Sequence, residues 1–255
     1  MNHLLIAAMS EAGETAESLA GQVGVDPKTV QRWVSPGRTP RPRQRAEASE
    51  ILGRSVEDLW PDVLKRRAPV WFRRWVEIER EAVALRWFEL AWVPGLLQTE
   101  AYARATLAME SLTPDEIDER VDARLQRQAI LHRARPPLVV AVLDEAVLRR
   151  RVGADGTVMR EQCEHLAACA ALPHVQVHVV PTGTPMYLGL GGPFTMAEMP
   201  DGGQLAHVDG QVRAQIIDDA AEIATLGRRW ARIVGEALPR ALSLDLIRKA
   251  AASWT

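Results

Sequence analysis

Apolar positions recur at helical spacing along the first sixty residues, in short runs separated by turn-forming residues. Leu4, Leu5, Ala8 and Met9 share one face of a helix predicted over 2–12, which Gly13 ends. Thr15 can cap a second helix carrying Ser18, Leu19, Ala20 and Val23, with Gly24 free to turn left-handed after it. Asp26-Pro27 restarts the chain, because aspartate at an N-cap and proline in the first helical position both favour a helix start. A third helix is therefore expected over 27–34. Its inner face is Val30 and one side of Trp33; its outer face is Lys28, Thr29, Gln31 and Arg32. A fourth helix is expected over 42–52, and a fifth holds Val56, Leu59 and Trp60 before Pro61 closes it.

Beyond a linker at 65–69 the pattern changes. Trp71, Trp75, Ile78, Ala82 and Leu85 form a helical stripe over 70–85, and the alternation of Phe88, Leu90 and Trp92 predicts a strand over 86–93 that Pro94-Gly95 turns. Thr99 and Thr113 each open a helix, the second reaching about His132. Strands are expected at 138–143 and 174–180, with helices at 146–151 and 159–171 around them. Residues 194–199 and 204–208 pair as a hairpin across Pro200-Asp201-Gly202-Gly203. The stretch 216–252 reads as helical. The expected architecture is a mainly α N-terminal helix-turn-helix domain (1–67) plus an α+β C-terminal domain (70–255). The latter is built on a small mixed or antiparallel sheet of about four strands.

Charge sharpens this picture. Residues 1–26 carry four acids and no lysine or arginine, whereas residues 27–45 carry six bases and no acid. The N-terminal domain is thus polarised, and a local basic stripe is the minimum needed to hold phosphates. Two short helices joined by a tight turn, the second opening with polar side chains, form a helix-turn-helix pattern. One helix fits the major groove, where arginine pairs with guanine, glutamine with adenine, and threonine meets polar edges or the thymine methyl. Lys28, Thr29, Gln31 and Arg32 are the candidate base readers. Arg38, Arg41, Arg43 and Arg45, in and after a proline-rich loop, are candidate phosphate clamps.

The segments SLAGQVGVDPKTVQRWVSPGRTPRP and AEASEILGRSVEDLWP resemble the xenobiotic-response-element (XRE) type of helix-turn-helix family. That resemblance implies a recognition helix over 26–34. The stretches WVPGLLQTEAYARATL, RLQRQAILHRARPPLVVAVLDEAVLRRRVG and HVQVHVVPTG resemble the C-terminal domain of actinobacterial antitoxin-like regulators of the Scr1 type, the DUF5753-like group. This implies a transcriptional regulator whose second domain senses a small ligand or a small protein partner. The chain departs from that pattern at QLAHVDG, where relatives show an aromatic-rich strand ending in an acid.

Candidate ligand or partner residues in the second domain are Trp92, Gln98, Glu145, His178, His207 and Asp209. His174 and His178 stand roughly 13 Å apart if they lie on one strand, too far to share an ion. No nucleophile elbow, P-loop, dinucleotide fingerprint or HExxH occurs, so no cofactor, metal or catalysis is expected. Cys163 and Cys169 fall on different sides of a helix and read as free thiols. The chain lacks a long uncharged apolar run and a basic n-region before an apolar segment, so a cytoplasmic protein is expected. The leading reading is a homodimeric regulator bound to a double-stranded operator. An antitoxin-like protein-interaction module is the alternative, and an enzyme on a regulator scaffold ranks behind it.

Overall fold

The computed structural model describes residues 2–35, 40–60, 70–210 and 214–254, without the side chains of residues 42, 57 and 70–73. Arg38, Pro61, the linker at 65–69 and the Trp71 side chain lie outside the described residues. The chain divides into two compact units, residues 1–70 with 113–123, and residues 71–112 with 124–255.

The first unit holds α1 (His3–Glu11), α2 (Ala16–Val23), α3 (Pro27–Val34), α4 (Pro42–Leu52) and α5 (Val56–Leu59). Their ends are written locally. The Asn2, Thr15, Asp26 and Ser55 side chains each accept from a backbone N–H in the following first turn, satisfying donors the helix leaves open. Leu5, Leu19, Val30, Trp33, Leu59 and Trp60 meet in one core. The two indoles pack edge-on with centroids 6.5 Å apart.

The second unit is built on a six-stranded mixed sheet of order β3-β2-β1-β4-β5-β6. β1 (Ala84–Glu89), β2 (Leu138–Asp144) and β3 (Val175–Val180) run parallel. β4 (Phe194–Glu198), β5 (Gln204–Val208) and β6 (Gln215–Ile217) continue antiparallel from β1. Parallel neighbours need long crossovers. These are supplied by α7 (Glu100–Leu107) and α8 (Pro114–Arg127) between β1 and β2, and by α9 (Glu145–Arg149) and α10 (Thr157–Cys169) between β2 and β3. One face of the sheet, with Leu85, Trp87, Ala141, Leu143 and Val177, packs on Trp75 and Ile78 of α6 (Val70–Glu81), Tyr102 of α7 and Leu166 of α10. The last helix, α12 (Arg240–Ser253), adds Ile247 to this layer. The other face, with Phe88, Val142, Phe194 and Ala206, lies under Ile223 and Ile233 of α11 (Ala220–Glu236).

The structure corrects three sequence expectations. The helix over 70–85 stops at Glu81, and Leu85 belongs to β1, which ends at Glu89 and leaves Leu90 and Trp92 in the following loop. Both faces of β1 are covered, so alternation did not locate its ends. The stretch 216–252 is not wholly helical: Gln215–Ile217 pairs with β5 as a short edge strand before Asp219 caps α11. The sheet consequently has six strands, not about four. Cys163 and Cys169 are free and buried on α10, and burial pushes both thiols up to about 11. Among the described residues, no helix is long and apolar enough to cross a membrane.

Candidate functional site

Two surfaces hold the candidate residues, one in each unit. In the first, Gly24 closes α2 at φ 72°, a left-handed conformation that glycine adopts without Cβ strain. The Asp26 carboxylate then accepts from Lys28 N–H at 2.8 Å, and Pro27 fills the first position of α3. Val30 and Trp33 are buried, which fixes the rotation of the helix about its axis. Lys28, Gln31 and Arg32 are consequently exposed, at the i, i+3 and i+4 positions of one face, while Thr29 is half-buried at its margin.

Two of the acids that precede α3, Glu11 and Glu14, are engaged elsewhere. Glu14 accepts from the Ser18 hydroxyl and from Gln22, and these hydrogen bonds hold its carboxyl below the usual range. Glu11 pairs with Arg54 at 2.6 Å. Of the candidate phosphate clamps, Arg41 and Arg43 are exposed, with Arg43 Nε donating to Glu47 at 2.8 Å. Arg45 differs. Its side chain is only 1% exposed, with Nη1 3.9 Å from Glu119, so it is withdrawn from the surface that a phosphate would reach. Two positions past exposed Arg43, about 200° around α4, it falls on the inner face with buried Ala48 and Leu52, which a count of basic residues does not reveal.

In the second unit the turn Pro94-Gly95-Leu96-Leu97-Gln98-Thr99 is pinned from several sides. Gln98 Nε2 donates to Val93 O at 2.6 Å, and Gln98 Oε1 accepts from Arg124 at 2.8 Å. Buried Gln162 donates to Leu97 O and accepts from Thr99 N–H. Both ends of the Gln98 amide are thus committed to the loop. Glu145 accepts from Thr182 N–H at 2.9 Å and from Arg149; burial pushes its carboxyl up, and these bonds outweigh burial and hold it low. His178 Nδ1 lies 3.1 Å from Leu238 O, on the α11 side of the sheet. Trp92 is 42% exposed.

Of the six candidates, His207 and Asp209 come together, Nε2 to Oδ1 at 3.7 Å. The buried His207 ring is stacked on Trp75, with centroids 5.0 Å apart at 30°, and burial depresses its basicity. His207 is paired through Thr195 to Trp87, so these three side chains share the sheet face that Trp75 covers. Two positions past Trp87 on the same face comes Glu89, which the sequence pattern did not single out. It is 8% exposed, and its Oε2 has no hydrogen-bond partner among the described residues. Burial, then the nearby Asp209 charge, pushes its carboxyl up to about 8. Glu79 and Arg127 were also passed over. They form a bidentate pair, Nε–Oε1 and Nη2–Oε2 both 2.7 Å, and both carry charge felt by His207. No group of three or more metal-ligating side chains occurs among the described residues.

A domain of unknown function, DUF5753, matches residues 72–249, most of the second unit. The chain belongs to the DUF5753 family. No curated protein and no solved structure matches it. In this chain the DUF5753 region therefore comprises the mixed sheet, its two helical layers and the Glu89–His207–Asp209 edge.

Proposed function

We propose that this protein is a sequence-specific DNA-binding transcriptional regulator of the XRE helix-turn-helix type, cytoplasmic and homodimeric, with the DUF5753 region as its sensing domain. The observation that carries the reading is the exposed triplet Lys28, Gln31 and Arg32 on one face of a short helix. Asp26 and Pro27 set its start, and Val30 and Trp33 fix its rotation. Donors of this kind at the start of a helix match the edges of bases in a major groove. Arg41 and Arg43 would hold the backbone beside it. A single eight-residue helix reads only a few base pairs, so two copies on a two-fold operator supply the remaining affinity.

Genome-wide capture of bound DNA followed by gel shifts on the best site tests the reading. Arg32→Ala is expected to weaken specific binding by about 1–3 kcal/mol, and Arg43→Ala to weaken all sequences alike and flatten the salt dependence. Operator binding unchanged in Arg32→Ala removes α3 from base readout.

A second reading has its own observation. Met186, Leu188 and Leu190 are 92%, 45% and 53% exposed within five residues, and Trp92 is exposed as well. Exposed apolar side chains gathered in one segment favour a small protein partner, in the manner of an antitoxin-like module. Co-purification at a fixed ratio that Met186→Glu with Leu190→Glu abolishes supports it. Unchanged co-purification excludes this segment as the contact.

A further inference from the structure

The strands β1, β2 and β5 end at the same edge of the sheet, since β5 is antiparallel to β4 and β4 to β1. Carboxylates gather there: Glu89 at the end of β1, Asp144 and Glu145 at the end of β2, and Asp209 just past β5. The chain satisfies two of them. Asp144 accepts from the Tyr187 hydroxyl at 2.7 Å and caps α9, and Glu145 is held by Thr182 and Arg149. Glu89 is the exception, more than nine-tenths buried with Oε2 unpartnered among the described residues.

A buried carboxyl without a donor is costly, and structures retain one chiefly where something else completes it. Arg127, whose charge reaches His207 on the same side of the sheet, gives Nε and Nη2 to Glu79. Around Glu89 the same sheet face is aromatic, with Trp75, Trp87 and Tyr102 in its core and the His207 ring on Trp75. Aromatic faces beside a carboxylate are the surroundings that bind an organic cation.

We infer that the Glu89 edge is a binding site for an organic cation, a guanidinium or amine on a small apolar body, with the Glu89 carboxylate as its counterion and Asp209 as an outer one. This rests on the reading of the DUF5753 region as a sensing domain and gives that domain a ligand class. The charge that acts on Glu89 is that of Asp209, and Glu89 in turn acts on the Tyr102 hydroxyl, while His207 and the Glu79–Arg127 pair stand on the same side of the sheet. Because Glu89 is protonated at neutral pH in the empty protein, a bound cation must displace one proton. Affinity therefore rises with pH and levels off above about 8. A guanidinium stays charged throughout that range.

The test is isothermal titration of the full chain, without DNA, with benzylguanidinium and its neutral isostere benzylurea. Benzylguanidinium is expected to bind with release of a proton at pH 7, and with affinity climbing toward roughly tenfold per pH unit below the plateau. Benzylurea and the Glu89→Gln variant should each bind at least about tenfold more weakly, the scale of one hydrogen bond to a charged group. Asp209→Asn, at an exposed side chain, should weaken binding by a smaller factor. Equal binding of the two probes, unchanged binding by Glu89→Gln, or no binding of either probe at millimolar concentration overturns the inference. With DNA absent, such a failure leaves the operator reading standing, and a failed gel shift leaves this one standing.

Discussion

Arg127→Ala is expected to destabilise the protein by about 3–5 kcal/mol, the cost of leaving a buried charge without its partner. Glu79 is 1% exposed in the helix that packs on the sheet, and both of its oxygens accept from Arg127 at 2.7 Å. Removing the guanidinium leaves that buried carboxylate without either of these donors. Fork-to-fork geometry makes the pair strong, and it ties α6 to the last turn of α8. The loss is therefore larger than any exposed ion pair here would give, such as Arg104–Glu100. The double variant Glu79→Leu with Arg127→Met removes both charges together. It is expected to regain most of the stability, because two apolar side chains of similar volume avoid the desolvation of both ions. Urea unfolding of wild type, Glu79→Leu, Arg127→Met and the double variant measures the coupling. A single variant within about 0.5 kcal/mol of wild type contradicts the assignment of a buried pair.

The helices of the first unit were legible because their boundaries are local chemistry. Asp26-Pro27 and Thr15 followed by Ser18 specify a start with side chains that reach only two or three residues along the chain. Burial of Val30 and Trp33 follows from spacing alone, and with it the exposure of Lys28, Gln31 and Arg32. The second unit was less legible, for reasons that are tertiary. Both faces of β1 are covered, so Leu85, Trp87 and Phe88 all read as apolar and the strand's phase was lost. β6 is three residues long and exists through its pairing to β5. Arg45 looked like its basic neighbours, yet its setting depends on Glu119, far along the chain.

The Glu89 edge was hidden for the same reason. A glutamate at the end of a strand resembles a surface residue until helices from elsewhere cover it. His207 and Asp209 were legible as polar residues at a strand end where QLAHVDG departs from the family pattern, whereas Trp75, which stacks on His207, is over a hundred residues away. The proximity of His207 to Glu79 and Arg127 is likewise a property of the packed helices. What the sequence carries at this place is a set of side chains; which of them are dry, and which lack a donor, is decided by packing.

Glu89→Gln is expected to stabilise the protein, by an amount that grows with pH. In the folded chain burial raises the Glu89 carboxyl from its ordinary value near 4.5 to about 8. The folded state therefore holds a proton that the unfolded state releases. The contribution of Glu89 to stability is fully present below about 4.5, is lost as pH rises toward 8, and is constant above that. Across this window the loss is on the order of 5 kcal/mol. Glutamine keeps the shape and a hydrogen-bonding amide but cannot ionise, so it does not undergo that loss. Urea unfolding of wild type and variant from pH 5 to 9 measures the difference, which should rise through the window and flatten near pH 8. Parallel curves for the two proteins would show that Glu89 is ionised at neutral pH with a partner of its own. An organic cation bound at Glu89 should act in the opposite sense, restoring wild-type stability at pH 8 in proportion to its occupancy. The variant would gain nothing from it. Stability and ligand binding thus depend on the same buried carboxyl, through the same proton.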